Sequence, residues 1–315
     1  MKPRGASVAG DAGRDPDIDR PIVSVIIPVY NDAERLAHCL VAIDGQTYPK
    51  DRLEILVVDN GSEDHVAEVA KRFERVRLLR EPRPGSYAAR NHGIREARGE
   101  IIAFTDADCL PSPSWIERGV RHLANNPRIG LVGGRIEVFP ADPRNPTGVE
   151  LFEMMTGFPQ RRYIEEYRFA VTASLLTRKN VLDRVGPFNE KLMSGGDREW
   201  GMRVHASGFC LQYADDMVTA HPARRSLRQL YKKSKRQHSG ARDLDDPSRR
   251  VFHLSGRKLL RNLVPPLRTA WRMFGDYRVP TTWSWIRLVA VLVLVRLMSV
   301  WFTLRFAVGG RSPRQ

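Results

Sequence analysis

The sequence predicts an α/β fold with a mostly parallel, Rossmann-like sheet flanked by helices. Between residues 21 and 140, short apolar runs typical of buried strands alternate with amphipathic helical segments, and the connections are short. Such alternation requires right-handed crossovers, which make neighbouring strands parallel. Two of the runs also end in aspartate, and ligand sites of open α/β sheets lie at the carboxyl ends of their strands.

The elements follow one another in a regular order. Residues 1–20 are polar and lack apolar periodicity, so we expect them to be disordered and to contain no signal peptide. A strand is predicted over residues 21–29 and a second over residues 54–58, with a helix between them. The second strand ends directly before Asp59. A carboxylate is therefore expected at the carboxyl end of the second strand.

The pattern continues through the next hundred residues. We predict helices over residues 64–73, 87–97 and 115–123, strands over residues 76–79 and 100–105, a glycine-containing loop at 82–86, and apolar runs at 129–132 and 136–139.

Asp106 and Asp108 follow the strand at 100–105 and are one residue apart. In an extended backbone, residues i and i+2 point to the same side. Two carboxylates converging in this way suit Mg²⁺ or Mn²⁺, which complete their coordination with water and substrate phosphates. The alternative is a polar strand end that caps the following helix.

Charge is distributed unevenly along the chain. The net charge is +15, yet residues 224–272 alone contain 15 Lys or Arg against three Asp. This asymmetry argues against a protein that is basic throughout, and it indicates a near-neutral catalytic domain followed by a basic arm that meets an anionic surface. The three cysteines have no metal-ligand spacing, which is typical of free thiols in a reducing compartment.

Four motifs in order carry a resemblance to a known family. They are SVIIPVYND at 24–32, EILVVDNGS at 54–62, GSYAARNHG at 85–93 and FTDAD at 104–108. Together they resemble the nucleotide-sugar-binding half of family 2 glycosyltransferases, which have the GT-A fold and invert the anomeric configuration. The resemblance implies a hexosyltransferase-like enzyme with a nucleotide-sugar donor, UDP-sugar first, and an Mn²⁺ or Mg²⁺ ion.

The same resemblance implies a donor site. Its residues are Pro28, Tyr30, Asp32, Asp59 and Ser62 for the nucleoside, Arg90 and Asn91 near the diphosphate, and Asp106 and Asp108 for the metal. Carboxylates that accept from a base N–H or from ribose hydroxyls, beside an aromatic wall, fit a uridine. For Tyr30 and Asp32, a role at the helix entry is the alternative.

The second half resembles the acceptor side of the family. ASLLTR at 173–178, VGPFN at 185–189 and GGDREWGMR at 195–203 follow its order, but Gly196 replaces the first acid of the usual pair. An inverting transfer needs a base for the acceptor hydroxyl. Asp197 is the candidate and Glu199 the second choice, and the alternative is that both only cap a helix.

Two features beyond this motif bear on the site. The resemblance implies that His221 is a further metal or phosphate contact, although a hydrogen-bonded surface histidine is the alternative. The Gln-x-x-Arg-Trp motif of processive relatives is missing from residues 230–240, which indicates transfer of one sugar at a time. Arg236 could close over the diphosphate, or it could lie on a solvated face.

Of the 23 residues 286–308, 18 are apolar, and Arg287, Arg296 and Arg305 interrupt them. On an insertion scale, Arg296 costs about 2.5 to 3.5 kcal/mol, and the Leu, Ile, Val and Phe side chains return roughly 4 to 8 kcal/mol. We therefore expect a membrane-embedded helix, and a buried helix of the soluble domain is the alternative. The preceding basic stretch with its tryptophans is typical of contact with anionic lipids on the cytoplasmic face.

The predicted organisation is a GT-A domain over residues 21–225, with donor and acceptor halves that meet near residue 140. A basic helical extension (226–280) and a membrane-associated or transmembrane helix (281–309) follow. The expected partners are the donor, a carbohydrate or lipid-linked acceptor for polysaccharide synthesis, and the cell membrane, with no nucleic acid. One alternative is a nucleotidyltransferase acting on sugar phosphates, although the sequence has no glycine-rich phosphate loop after the first strand. The other is a nucleic-acid-binding protein, although the basic arm lacks the interleaved aromatic residues on which bases stack.

Overall fold

The computed structural model describes residues 20–244, 266–279 and 281–307. Its strands are β1 (Val23–Val29), β2 (Leu53–Asp59), β3 (Val76–Arg80), β4 (Ile101–Phe104), β5 (Leu110–Pro111), β6 (Ile129–Phe139), β7 (Leu175–Arg178) and β8 (Cys210–Pro222). Its helices are α1 (Ala33–Asp44), α2 (Val66–Lys71), α3 (Ser86–Glu96), α4 (Trp115–Ala124), α5 (Gly148–Thr156), α6 (Gln160–Glu165), α7 (Lys179–Val185), α8 (Gly196–Ala206), α9 (Leu227–Leu244), α10 (Leu267–Met273) and α11 (Thr282–Ala307).

The strands form one mixed sheet in the order β3-β2-β1-β4-β7-β6-β8-β5. The first four run parallel, as the alternating pattern predicted. Next, β7 pairs antiparallel with both β4 and β6, and β8 pairs parallel with β6. Two successive antiparallel pairings restore the strand direction. The carboxyl ends of β1, β2, β4, β6 and β8 therefore meet at one edge of the sheet, called the carboxyl edge below.

Apolar side chains cover both faces of this sheet. One cluster packs α1 and α4 on one face, and a second packs α3, α7 and α8 on the other. The contact of α3 with β1 is close, because a Cβ at Gly93 would lie 2.5 Å from the side chain of Ile26. Trp115 and Trp200 are fully buried and fill the largest volumes. The core thus holds the strand ends in fixed positions.

The structure differs from the predicted elements in a few places. The apolar runs at 129–132 and 136–139 belong to one long strand, β6, because Gly133 and Gly134 continue the extended backbone between them. Strand β5 was not predicted, since its two residues are too short to show a pattern. The expected disorder of residues 1–19 and the part of the basic extension at 245–265 lie outside the described residues.

A C-terminal layer, consisting of α9, α10 and α11, packs on α5. Two small apolar clusters join it, one around Leu151 and Leu288 and one around Val149, Leu230 and Val291. Within α11, residues Thr282–Arg305 are long and apolar enough to cross a membrane by length and composition, with a mean hydropathy of 2.0. This alone is weak evidence, because some helices of soluble proteins meet the same criterion.

Candidate active site

The loops after β1 and β2 are hydrogen-bonded to each other at the carboxyl edge. The Ser62 hydroxyl accepts from the Asn31 N–H at 2.9 Å, and the Asn31 side chain accepts from the Glu63 N–H at 2.8 Å. Asn31 has a left-handed backbone with φ of 49°, which asparagine tolerates better than most residues. Asp59 is buried and accepts from the Ser62 N–H at 2.9 Å. These contacts hold the predicted nucleoside residues in one rigid unit.

The other predicted nucleoside residues lie around this unit. Pro28 is near the end of β1, and the Tyr30 side chain is exposed beyond it. Asp32 does not cap α1 with its side chain, because Asp64 accepts from the Ala33 N–H at 2.9 Å instead. The Asp32 carboxylate pairs with Arg35 at 2.8 Å. Asp32 therefore lies at the helix entry, but its carboxylate pairs with a side chain of α1 and does not cap the backbone.

Arg90 lies beneath the end of β4 and is buried. Its Nη2 is 2.5 Å from Oδ1 of Asp106. Burial lowers the pKa of the guanidinium, but the negative charges of Asp106 and Asp197 raise it by more, so Arg90 stays charged. Its buried Nε has no hydrogen-bond partner among the described residues. A charged, incompletely bonded guanidinium is suited to phosphate oxygens.

Asp108 lies in the turn between β4 and β5, and His221 of β8 approaches it. Oδ2 of Asp108 is 3.6 Å from Nε2 of His221. On the other side of the ring, Nδ1 lies 2.8 Å from the Pro222 carbonyl oxygen, which can only accept. A neutral imidazole therefore carries its hydrogen on Nδ1 and presents an unprotonated Nε2 toward Asp108, which is the usual preparation of a metal-ligating histidine.

The donor set around Asp108 fits a hard or borderline divalent cation. Ligand atoms of Asp108, Cys109 and His221 all lie within 4.8 Å of one another. Burial raises the pKa of the Cys109 thiol well above its usual value, and the charges of Asp106 and Asp108 add to this. Cys109 therefore stays a neutral thiol and a poor ligand, which leaves carboxylate oxygen and imidazole nitrogen, as Mn²⁺ accepts. Asp106 was predicted beside Asp108, but its contact here is with Arg90.

Asp197 lies at the start of α8, and its charge interacts with those of Arg90 and Asp106. Its two oxygens each accept a long hydrogen bond of 3.4 Å from Thr172, one from the backbone N–H and one from the hydroxyl. Burial raises the pKa of this carboxyl, Arg90 opposes the shift and Asp106 reinforces it, and the net direction is upward. Asp197 is thus a weakly bonded carboxylate with increased proton affinity.

The missing acid at position 196 has a steric explanation. The Gly196 Cα faces the Tyr87 ring, and a Cβ there would lie 2.7 Å from ring carbons. The Tyr87 hydroxyl in turn accepts from the Asp197 N–H at 3.4 Å. Tyr87 therefore occupies the space that a side chain at position 196 would need.

Glu199 is engaged elsewhere. Its carboxylate binds Arg203 at 2.6 Å, and Arg203 also donates to the carbonyls of Val185 and Pro187. This network joins α8 to the loop after α7. Glu199 therefore has a structural partner, whereas Asp197 faces Arg90.

Two predicted donor residues have other surroundings. The buried Asn91 side chain donates to the Phe188 carbonyl at 2.8 Å and to Glu190 at 3.0 Å, and it accepts from the Phe188 N–H at 3.0 Å. These bonds make it a residue that positions the 188–190 loop. Arg236 is exposed on α9. Within the part of the chain that the structure describes, neither is hydrogen-bonded or ion-paired to Arg90, Asp106 or Asp108.

Sequence reasoning did not identify four residues that complete the site. Arg35 reaches Oδ2 of Asp108 at 3.8 Å, and the Phe158 ring lies 4.7 Å from the His221 ring. Tyr87 and Thr172 both contact Asp197. Tyr87 and Arg35 lie inside or next to motifs that were already recognised, but Phe158 and Thr172 had no local signal, because they reach the site only through the fold.

Comparison with known proteins identifies relatives over most of this region. The family model described as "Glycosyl transferase family 2" matches residues 24–186. Glycosyltransferase AglE of Haloferax volcanii is 43% identical over 209 residues, which cover 65% of this chain and 68% of AglE. Probable glycosyltransferase YdaM of Bacillus subtilis is 27% identical over 212 residues, and the chain spans only 50% of its length.

Solved structures show the same architecture. A mannosyltransferase from Pyrobaculum calidifontis, in complex with GDP-Man and Mn²⁺, aligns with a TM-score of 0.59 at 23% identity and covers 92% of this chain and 87% of its own. S. aureus TarS 1-349, in complex with UDP, aligns with a TM-score of 0.51 at 16% identity over 88% and 90% of the two chains. At these identities the likeness confirms the predicted GT-A fold.

Proposed function

This chain belongs to glycosyl transferase family 2, and we propose that it transfers one sugar at a time, with inversion, from a nucleotide-diphosphate sugar to an acceptor hydroxyl at a membrane. One observation carries the proposal. Groups suited to a diphosphate and its cation (Arg90, Asp106, Asp108 and His221) meet at the carboxyl edge, and the charge of Asp197 interacts with that of Arg90. This arrangement offers a donor site and a base at the same edge of the sheet.

The donor lies along the rigid unit formed by the loops after β1 and β2. Asp59 and Asp32 accept hydrogen bonds from the base or ribose, Tyr30 covers the base, and Pro28 and Ser62 shape the pocket. UDP is the first choice of nucleotide. The mannosyltransferase structure contains GDP-Man and TarS contains UDP, so relatives of this fold accept more than one base. Arg90 binds the diphosphate, and Arg236 could approach it from α9.

Asp108 and His221 would hold an Mn²⁺ or Mg²⁺ ion, with Asp106 beside it. Such an ion supplies charge neutralisation for the departing diphosphate. The Pyrobaculum relative binds Mn²⁺, which supports this choice. The chain's own contribution is to fix the ligands: the Pro222 carbonyl orients His221, Phe158 packs on its ring, and Arg35 restrains Asp108.

Asp197 acts as the general base. It takes the proton of the acceptor hydroxyl while that oxygen bonds to the anomeric carbon and the bond from this carbon to the diphosphate breaks. A single displacement of this kind inverts the anomeric configuration. The raised pKa of Asp197 strengthens it as a base, and the charged Arg90 stabilises the negative diphosphate as it leaves. Glu199 is the second choice, and its pairing with Arg203 argues against it.

The acceptor is a lipid-linked saccharide or a polysaccharide at the cytoplasmic face of the cell membrane, where the basic C-terminal layer meets anionic lipids. We retain the division into a catalytic domain (21–225), a basic extension (226–280) and a membrane-associated helix (281–309). The apolar helix α11 and the basic charge of the region support this assignment.

A hydrolysis screen tests the proposal. Full-length protein is incubated with UDP-, GDP- and dTDP-sugars, with Mn²⁺, with Mg²⁺ or with a chelator, and release of nucleoside diphosphate is measured. We expect release from one nucleotide class that depends on the metal and is lost in Asp108→Ala. Release of pyrophosphate or nucleoside monophosphate, or full activity with the chelator, would contradict it.

A further inference from the structure

The outward face of α11 is apolar along its whole length. Large apolar side chains spaced three, four or seven residues apart, and so on one face of the helix, lie between 38% and 64% exposed. They form the outer stripe: Trp283, Ile286, Val293, Leu297, Trp301 and Leu304. At about 1.5 Å per residue the stripe is roughly 32 Å long. An apolar strip of this length on a water-soluble surface indicates a binding partner.

The opposite face of α11 is fixed to the enzyme body from end to end. Near its start, a Cβ at Gly148 of α5 would lie 2.8 Å from the backbone of Arg287. Near its end, the Phe302 ring lies 5.3 Å from Tyr231, and Ser299 Oγ lies 3.3 Å from His238 Nε2. The helix is therefore attached to α5 and α9 over most of its length.

This attachment is incompatible with a helix that crosses the bilayer. Because α9 lies along α11, a spanning α11 would carry α9 into the hydrocarbon as well. The exposed Lys232 and Arg236 of α9 would then face lipid tails. Each such charge costs about 2.5 to 3.5 kcal/mol even on the mildest scale.

The composition of the surface around the outer stripe favours lipid. Exposed aromatic residues lie at both ends of the stripe, and Trp271 and Tyr277 add two more that are among the most exposed in the described chain. Tryptophan and tyrosine favour the membrane–water interface. α10 and α11 together contain five arginines and no acidic residue. A second copy on this face would bring like charges together, whereas an anionic bilayer neutralises them.

We propose that α11 lies parallel to the membrane plane, with its outer stripe in the boundary between headgroups and acyl chains of one anionic leaflet. The inference refines the membrane association proposed above. The same layer contacts the site, because Lys233 of α9 lies 5.5 Å from the Phe158 ring, and this ring packs on His221. The proposed metal-binding side of the site is thereby held next to the lipid surface.

A depth profile tests the orientation. Spin labels are placed singly at Ile286→Cys, Val293→Cys, Leu297→Cys and Leu304→Cys in a full-length Cys210→Ser background, since Cys39 and Cys109 are buried. With mixed phosphatidylcholine and phosphatidylglycerol vesicles, we expect all four labels at one depth of about 5 to 10 Å below the headgroups. A profile that is deepest at the two central labels would mean a spanning helix. Labels that stay in water with vesicles present would overturn the proposal. So would a dimer in solution, detected as a doubled mass, in which the labels are already shielded from water before vesicles are added.

Partitioning provides a second measurement with a matched control. Leu297→Gln with Trp301→Gln should weaken vesicle binding by about tenfold or more, because it removes two apolar anchors without disturbing the inner face. Val41→Gln makes the same kind of change at an exposed helix position of α1 and should leave binding unchanged. Equal effects of the two changes would overturn the proposal. Donor hydrolysis, measured on the same samples, reports separately on the enzyme function.

Discussion

Asp197→Asn separates chemistry from donor binding. The substitution keeps the shape of the side chain but removes its ability to accept a proton. A positioned general base contributes about 10² to 10⁴ in rate, which is roughly 2.7 to 5.5 kcal/mol of barrier. Little binding energy is at stake, because the two bonds from Thr172 are long at 3.4 Å and Arg90 keeps its pair with Asp106. We therefore expect turnover to fall 10² to 10⁴-fold while donor affinity is retained.

The assay combines three measurements on the donor found in the hydrolysis screen. Calorimetry measures donor affinity, initial rates of nucleoside diphosphate release measure turnover, and NMR of the first-formed linkage gives its configuration. In the wild type, activity should fall as the pH drops through the raised pKa of Asp197, because the base becomes protonated. This acid limb should disappear in Asp197→Asn.

Glu199→Gln is the matched control. It makes the same change of acid to amide two residues along α8, and the loss of the pair with Arg203 should cost only about 0.3 to 0.5 kcal/mol in stability. Turnover should be nearly unchanged. Three results would refute the assignment of the base. Asp197→Asn could weaken donor binding while turnover at saturation stays intact, or Glu199→Gln could be the more damaging change. The third is a product that retains the anomeric configuration of the donor.

Three further substitutions test other parts of the structure. Asp108→Ala should weaken Mn²⁺ binding by at least about a hundredfold, because losing a residue that only hydrogen-bonds a metal ligand already costs about 10- to 100-fold in metal affinity. An unchanged dissociation constant for Mn²⁺ would mean that the metal binds elsewhere. Gly196→Asp should destabilise the protein by about 1 to 3 kcal/mol in urea denaturation through its clash with Tyr87. In a Tyr87→Ala background the same change should cost less, whereas strictly additive effects would exclude the clash. The bonds from Arg83 lower the pKa of Glu81 from 4.5 to about 2, so this carboxylate contributes stability that is present above pH 4.5 and is lost as the pH falls toward 2. Glu81→Gln should therefore flatten the stability profile over this range, and parallel profiles would contradict that reasoning.

The donor half of the fold was predictable from the sequence for a local reason. Buried parallel strands are short runs of apolar residues, and their ends are visible where an acid follows, as at Asp59 and Asp106. Because parallel strands end at the same edge, the sequence also predicted that these acids gather there. Family motifs then identified Arg90, Asp108 and Asp197 as candidates. The comparisons confirm the family and the fold, and the individual roles remain predictions.

The tertiary structure alone decided which candidates meet. Glu199 and Asp197 are two residues apart and chemically alike, but the turn of α8 directs one toward Arg203 and the other toward Arg90. Asn91 follows Arg90 in the same motif, yet it binds the distant 188–190 loop. Such partners are far apart in sequence, so no local pattern reports them.

The C-terminal helix shows the same division. Hydropathy alone determined that residues 286–308 are apolar enough to enter a membrane, and it favoured an embedded helix. Which of its faces is free depends on α5 and α9, which belong to earlier parts of the chain. Composition sets how much apolar surface a helix has, whereas packing against distant segments determines how much of it, and on which side, remains for a partner.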